Sequence, residues 1–210
     1  ENASTDSQKL QIVATIFPEY DWVKEILGDQ AENVDLTLLL GNGTDMHSFQ
    51  PTMEDILKVS TCDLFIYVGG ESDSWVADAL KGAGNPDRKA INLMDVLGDQ
   101  VKEEELVEGM QEEDGHTHEE EHTHDDDLEY DEHVWLSLKN ASLFCDTIAS
   151  SLADADPEHS QLYQQNAEAY EEKLAALDQE YQTSVEKSRS KTLLFADRFP
   201  FRYLIDDYNL

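Results

Sequence analysis

The order of short apolar runs between residues 11 and 93 restricts the fold of this chain more than any other feature. Residues 11–17 (QIVATIF) form a β-branched run of strand length; residues 34–40 (VDLTLLL), 63–68 (DLFIYV) and 89–93 (KAINL) supply three more. Short apolar runs bounded by turn residues read as buried strands. Between them, Tyr20, Trp22, Val23, Ile26 and Leu27 recur at helical spacing up to Gly28, Thr52 is placed to cap a helix through Ser60, and residues 73–80 repeat the amphipathic pattern. Strand–helix alternation predicts an α/β fold built on a parallel sheet, whose ligands sit in the crevice at the carboxyl ends of the strands. His47 follows the second run and the Gly41-Asn42-Gly43 turn, which puts it in that crevice.

The alternation breaks at residues 98–127. No base occurs between Lys102 and Lys139, while residues 103–132 hold sixteen acids, a run expected to repel itself out of regular structure without cations. Four histidines, His116, His118, His122 and His124, stand among these carboxylates, and the two groups together are the ligands that divalent transition metals prefer, zinc above all. His118-Glu119 through His122 fits the HExxH spacing of zinc hydrolases, but that motif needs a helix with a buried apolar face, and every neighbour here is Glu, Asp, Thr or His. The tract reads better as a flexible chelator, HTH-EEE-HTH. Asp125, Asp127, Glu129 and Asp131 alternate like a calcium loop but lack its glycine at position six and its acid at position twelve.

Charge narrows the partner. With 47 acids against 14 bases and a net charge of −33, nucleic acid is excluded and an anionic membrane surface disfavoured, leaving cations as the natural ligand class. Cys62 and Cys145 fit either one disulfide or two buried thiols. No apolar run reaches the roughly 20 residues of a membrane span. Residues 1–10 read as a disordered tether, so any export signal is expected to be already removed or never present.

Past the acidic tract, His133 stands beside Val134, Trp135 and Leu136, and a helix is expected from about residue 137 until Asp156-Pro157. Residues 11–155 therefore read as one α/β lobe carrying the His/acid-rich loop. Residues 158–188 read as a single long helix, polar on most of its surface, suited to link two lobes. A strand at 192–196 and a helix from 199 make residues 190–210 the start of a second lobe; one strand and one helix cannot bury a core alone, so the chain is expected to be a fragment or to dock its last element elsewhere.

Four stretches, ATIFPEYDWVKEILGD, GTDMHSFQPTMEDILKVSTCDLFIYVGG, DEHVWLSLKNA and LFADRFPFRYL, resemble the zinc/manganese solute-binding proteins that feed ABC importers, in the same order and over residues 11–210. The resemblance implies two α/β lobes joined by a rigid helix, with the metal between them. His47 matches the first ligand in its H-x-[FY]-x-P setting, and His133 the second in its H-V-W-L setting. The third ligand is usually a histidine directly before an aspartate; here Ala196 takes that position and Asp197 follows, leaving Asp197 as a candidate ligand. The fourth ligand falls past Leu210. The His-rich acidic loop resembles the zinc branch rather than the manganese one, and its histidines are expected to collect ions for the inner site. Asp131 and Glu132 are candidate acceptors orienting His133.

The resulting expectation is a non-enzymatic protein that binds zinc, with manganese also possible, in an extracellular or periplasmic location. A membrane ABC permease is its expected partner, and a removed N-terminal segment its possible tether. Two alternatives compete: a zinc-dependent hydrolase using His118, Glu119 and His122, and a surface protein that sequesters metal in the loop itself.

Overall fold

The computed structural model describes residues 9–41, 43–82, 84–104, 129–195 and 199–210. Four strands, β1 (Leu10–Ala14), β2 (Val34–Leu38), β3 (Leu64–Tyr67) and β4 (Lys89–Asn92), form one sheet in the order β2-β1-β3-β4. All pairings are parallel, with Ile12 of β1 opposite Leu36 on one side and Leu64 on the other. The strands are shorter than the apolar runs because the run ends turn into loops. Leu39 and Leu40 still donate to the carbonyls of Ala14 and Thr15, both at 2.9 Å, and so carry the chain off the top of the sheet in register.

The two-residue period of each strand sorts side chains between two helical layers. On one face Ile12, Leu64 and Ile66 pack with Val23 of α1 (Phe17–Leu27), Phe144 of α5 (Leu138–Ala155) and Tyr163 of α6 (Ser160–Lys187). On the other, Val13 and Phe65 meet Val59 of α2 (Met53–Thr61) and Val76 and Ala79 of α3 (Val76–Lys81). The same sorting answers the cysteine question: Cys62 lies in the second cluster and Cys145 in the first, both free. Burial pushes each thiol up to about 12, so both stay protonated and unreactive at neutral pH.

Local chemistry sets the helix ends. Thr52 and Asp55 form a reciprocal cap on α2, the hydroxyl accepting Asp55 N–H at 3.2 Å and the carboxylate accepting Thr52 N–H at 2.9 Å. A short helix absent from the sequence expectation, α4 (Leu93–Leu97), follows β4 directly, because Asn92 turns from strand residue to cap and accepts Asp95 N–H at 3.2 Å.

The charged insertion begins later than expected. Residues Gly98–Gln100 form a 3-10 turn and Glu103 pairs with Tyr130 in an antiparallel bridge. Glu104 N–H donates to the Glu129 carbonyl at 2.9 Å, and Asp131 N–H to the Lys102 carbonyl at 2.8 Å. These bonds tie the two flanks of the acidic stretch to each other. Residues 1–8 and the histidine tract with His116, His118, His122 and His124 lie outside the described residues.

Helix α6 spans 28 residues, about 42 Å at the usual helical rise. Its first half is seated by Tyr163, Ala167 and Leu174, while Leu177 and Tyr181 are each 42% exposed. The strand expected at 192–196 does not form over the described residues 192–195: Leu194 is 96% exposed, and an apolar run becomes a strand only when a neighbouring ladder accepts it. The last helix, α7 (Arg202–Tyr208), turns back onto the first lobe, burying Tyr203 and stacking Tyr208 on Tyr181 at 5.4 Å.

Candidate metal centre

The carboxyl end of β2 runs through a glycine-containing turn into a single 3-10 turn, Met46–Ser48. Asp45 caps that turn, its carboxylate accepting His47 N–H at 3.1 Å, and so fixes the root of the His47 side chain. His133 arrives from the far side of the acidic insertion. Asp131 Oδ1 accepts its backbone N–H at 2.7 Å and lies 3.0 Å from its ring Nδ1. The His47 and His133 rings come together with centroids 5.3 Å apart and planes tilted by 54°. Trp135 lies against the other side of His133, at 5.2 Å between ring centroids. The His47 side chain is 36% exposed and that of His133 17%, so the pair opens to solvent on one side.

The loop after β3 supplies the remaining contacts. Gly69 and Gly70 have φ of 94° and 77°, which let the chain reverse directly off the strand. A side chain at Gly70 would place its Cβ 2.4 Å from Glu132 Oε1, so this glycine also makes room for Glu132. Ser72 follows, with its hydroxyl 3.1 Å from His47 Nδ1 and its N–H donating to Glu132 Oε1 at 2.8 Å. Asp131 backs His133 as expected, but Glu132, expected there too, turns instead toward His47 and Ser72. Glu132 Oε2 stands 4.0 Å from His47 Nδ1, buried and with no hydrogen-bond partner among the described residues.

Two further buried carboxylates sit behind this group. Glu19 Oε2 accepts the N–H and hydroxyl of Thr15 at 2.8 and 3.0 Å and the N–H of Ile16 at 3.2 Å, joining β1 to α1. Burial drives its carboxyl well above the ordinary range. Asp73 accepts Gly69 N–H at 3.0 Å; burial, and then the nearby charge of Glu132, outweigh that bond and raise it to about 6. Ser72, Asp73 and Glu19 escaped the sequence reading, although Gly69-Gly70 at the end of a buried strand, followed by polar Glu71-Ser72-Asp73, was a signal for the crevice.

Of the residues expected at the site, His47 and His133 are brought together. Asp197, the four loop histidines and Glu119 lie outside the described residues. Among the described residues, no group of three or more His, Cys, Asp or Glu is arranged to hold a metal ion. A cleft bordered by His47, Phe49, Trp75, Glu104, Tyr130 and Glu132 leads to it. Glu104 and Glu129, the last described residues on either side of the insertion, both line this cleft.

Over residues 12–210 the chain matches the family described as ZnuA, zinc-uptake complex component A, periplasmic. The chain belongs to the ZnuA family. That description is of an uptake component, not of an enzyme. Among similar proteins, the zinc-binding lipoprotein AdcA of Streptococcus pneumoniae serotype 4 is 35% identical over 202 residues, which cover 96% of this chain and 38% of AdcA. The high-affinity zinc uptake system protein ZnuA of Bacillus subtilis is 33% identical over 209 residues, covering all of this chain and 61% of that protein. The ZnuA-family chain thus spans 38% and 61% of these two relatives, less than two thirds of either. The crystal structure of the metal-dependent lipoprotein YcdH from Bacillus subtilis superposes with a TM-score of 0.75 at 28% identity, over 96% of this chain and 65% of that one. The Zn(II)-bound ZnuA-like domain of pneumococcal AdcA gives 0.72 at 28% identity, over 97% and 65%. The α/β fold expected from the sequence is therefore the fold of the ZnuA family. Among its described residues no helix is long and apolar enough to cross a membrane.

Proposed function

We propose that this ZnuA-family chain binds zinc outside the cytoplasm and passes it to a membrane ABC permease, with His47 and His133 as ligands. The observation that carries the reading is the convergence of these two imidazoles, 5.3 Å apart, at the carboxyl edge of a parallel sheet. Neutral imidazole suits zinc, and each ring has an oxygen beside its Nδ1, the outer support that metal-binding histidines use. The zinc named in AdcA and ZnuA supports the choice of ion; manganese is the second candidate. Zinc takes four ligands, so water and a carboxylate such as Asp197 or one from the acidic tract complete the set. His116, His118, His122 and His124 act as an auxiliary metal collector. Residues 190–210 begin a second lobe, and a lipid tether ahead of the chain holds it near the permease. No bond is made or broken.

Zinc titration of His47→Ala and His133→Ala, with removal of residues 115–127 as a third variant, tests the reading. Each histidine variant loses the tightest site. The deletion lowers the stoichiometry and leaves that site in place. Tight zinc binding unchanged by both histidine variants ends the proposal. A zinc-edge anomalous map separates it from the hydrolase and sequestration alternatives: ion density lies between His47 and His133, not in the loop alone.

A further inference from the structure

The two histidines are backed by consecutive residues. Asp131 Oδ1 lies 3.0 Å from His133 Nδ1. Glu132 Oε2 faces His47 Nδ1 from 4.0 Å, and the two carboxylates therefore address the two rings separately. The Glu132 side chain is built in rather than draped over the surface. The residue is only 6% exposed, Ser72 N–H holds Oε1 at 2.8 Å, and Gly70 at a φ of 77° leaves it the space. Its other oxygen, Oε2, is buried without a hydrogen-bond partner among the described residues.

A buried carboxylate oxygen without a donor is costly, and the chain keeps one within a short movement of a ring nitrogen. When an imidazole binds a metal through Nε2, Nδ1 necessarily carries the proton and becomes a better donor, and a carboxylate accepting that proton raises the basicity of the ligating nitrogen. In the described structure the Ser72 hydroxyl occupies the near position at 3.1 Å, a neutral partner that can donate or accept and so does not select a tautomer by itself. The carboxylate behind it can only accept while ionised, and so selects the tautomer that frees Nε2.

We infer that Glu132 is the positioning residue of His47: its Oε2 accepts the Nδ1 proton when His47 binds zinc through Nε2, while Oε1 ties the same unit to the loop after β3. Asp131 and Glu132 then act as a tandem, one carboxylate for each imidazole: His133 is held from within its own segment, and His47 from a segment distant in the chain. This inference rests on the zinc reading of the His47–His133 pair and adds to it a residue that touches His47 rather than the ion.

The experiment is a double-mutant cycle on the full chain, with zinc chloride competed against a chromophoric chelator to read the tightest site. Glu132→Gln keeps size and the Ser72 contact but removes the charge. Expected is a loss of about 10–100-fold in affinity in the native background, and a change within about twofold when His47→Ala is already present. X-ray absorption at the zinc edge shows the same number of near neighbours with and without Glu132→Gln. Equal losses in both backgrounds, or a lost oxygen neighbour, overturn the positioning role, the latter in favour of direct ligation. No loss in the native background also overturns it. If His47→Ala alone leaves the tightest site unchanged, the zinc reading itself fails, a result distinct from any of these. Glu132→Asp, which retains charge on a shorter arm, carries the same cycle should Glu132→Gln not fold.

Discussion

One oxygen of Asp131 serves both halves of His133, accepting its backbone N–H at 2.7 Å and facing its ring Nδ1 at 3.0 Å. A single carboxylate thereby fixes both the position of this histidine and the direction of its free ring nitrogen, Nε2. Asp131→Asn retains that oxygen but removes its charge, weakening both contacts at once. Expected is a loss of about 10–100-fold in zinc affinity with little change in fold, read by chelator competition beside far-ultraviolet circular dichroism. An unchanged affinity would show that His133 needs no such support.

Tyr203 of α7 extends that support to the end of the chain. Its buried hydroxyl donates to the Asp131 carbonyl at 3.0 Å and accepts Lys102 N–H at 3.0 Å, and Lys102 Nζ also pairs with Asp206. Tyr203→Phe leaves one buried donor and one buried acceptor unsatisfied. Chemical denaturation should show a loss of about 1–3 kcal/mol. Zinc affinity should fall with it, because the backbone of Asp131 loses its anchor.

Two glycines with the same φ of 77° separate backbone strain from crowding. Among the described residues a Cβ at Gly43 meets nothing within 4 Å, whereas one at Gly70 falls 2.4 Å from Glu132 Oε1 and 2.7 Å from its Cγ. Gly43→Ala should cost about 1–2 kcal/mol, the usual penalty of a left-handed conformation. Gly70→Ala should cost more by at least about 1 kcal/mol, since it also expels Glu132 from its bond to Ser72. Equal urea midpoints for the two variants would contradict the crowding at Gly70.

Asp73 imposes a pH dependence on stability. Burial, followed by the charge of Glu132, raises its carboxyl from 3.8 to about 6, so the folded chain holds a proton that the unfolded chain has released. Below about pH 4 both states are protonated and the effect is absent. As pH rises from 4 to 6 the folded state loses stability relative to the unfolded one, and above 6 the cost is complete, on the order of 3 kcal/mol. Asp73→Asn should flatten this fall: the difference in unfolding free energy between variant and native chain grows in favour of the variant from pH 4 to pH 6 and then levels off. A difference constant across that window would rule the mechanism out.

Much of the scaffold was legible because it depends on short-range periodicity. Alternating apolar runs gave the four parallel strands and the helices between them, Thr52 gave the start of α2, and Asp156-Pro157 marked the gap between α5 and α6. The failures share one cause. Residues 192–195 have strand composition but, among the described residues, no ladder beside them, and α4 was hidden because Asn92 ends β4 and caps the next helix in the same step.

Sequence by itself determined the class of fold and the crevice in which His47 stands, and net charge pointed to the cationic ligand proposed above, since residue spacing and charge are properties of the chain alone. Tertiary structure decided which side chains meet there. Only the folded chain brings His47 beside His133, turns Glu132 away from its neighbour's partner toward His47, and inserts Ser72 between them. These contacts join segments carried by β2, β3 and the far side of the acidic insertion, and their geometry follows from sheet order and glycine turns, which no local pattern encodes.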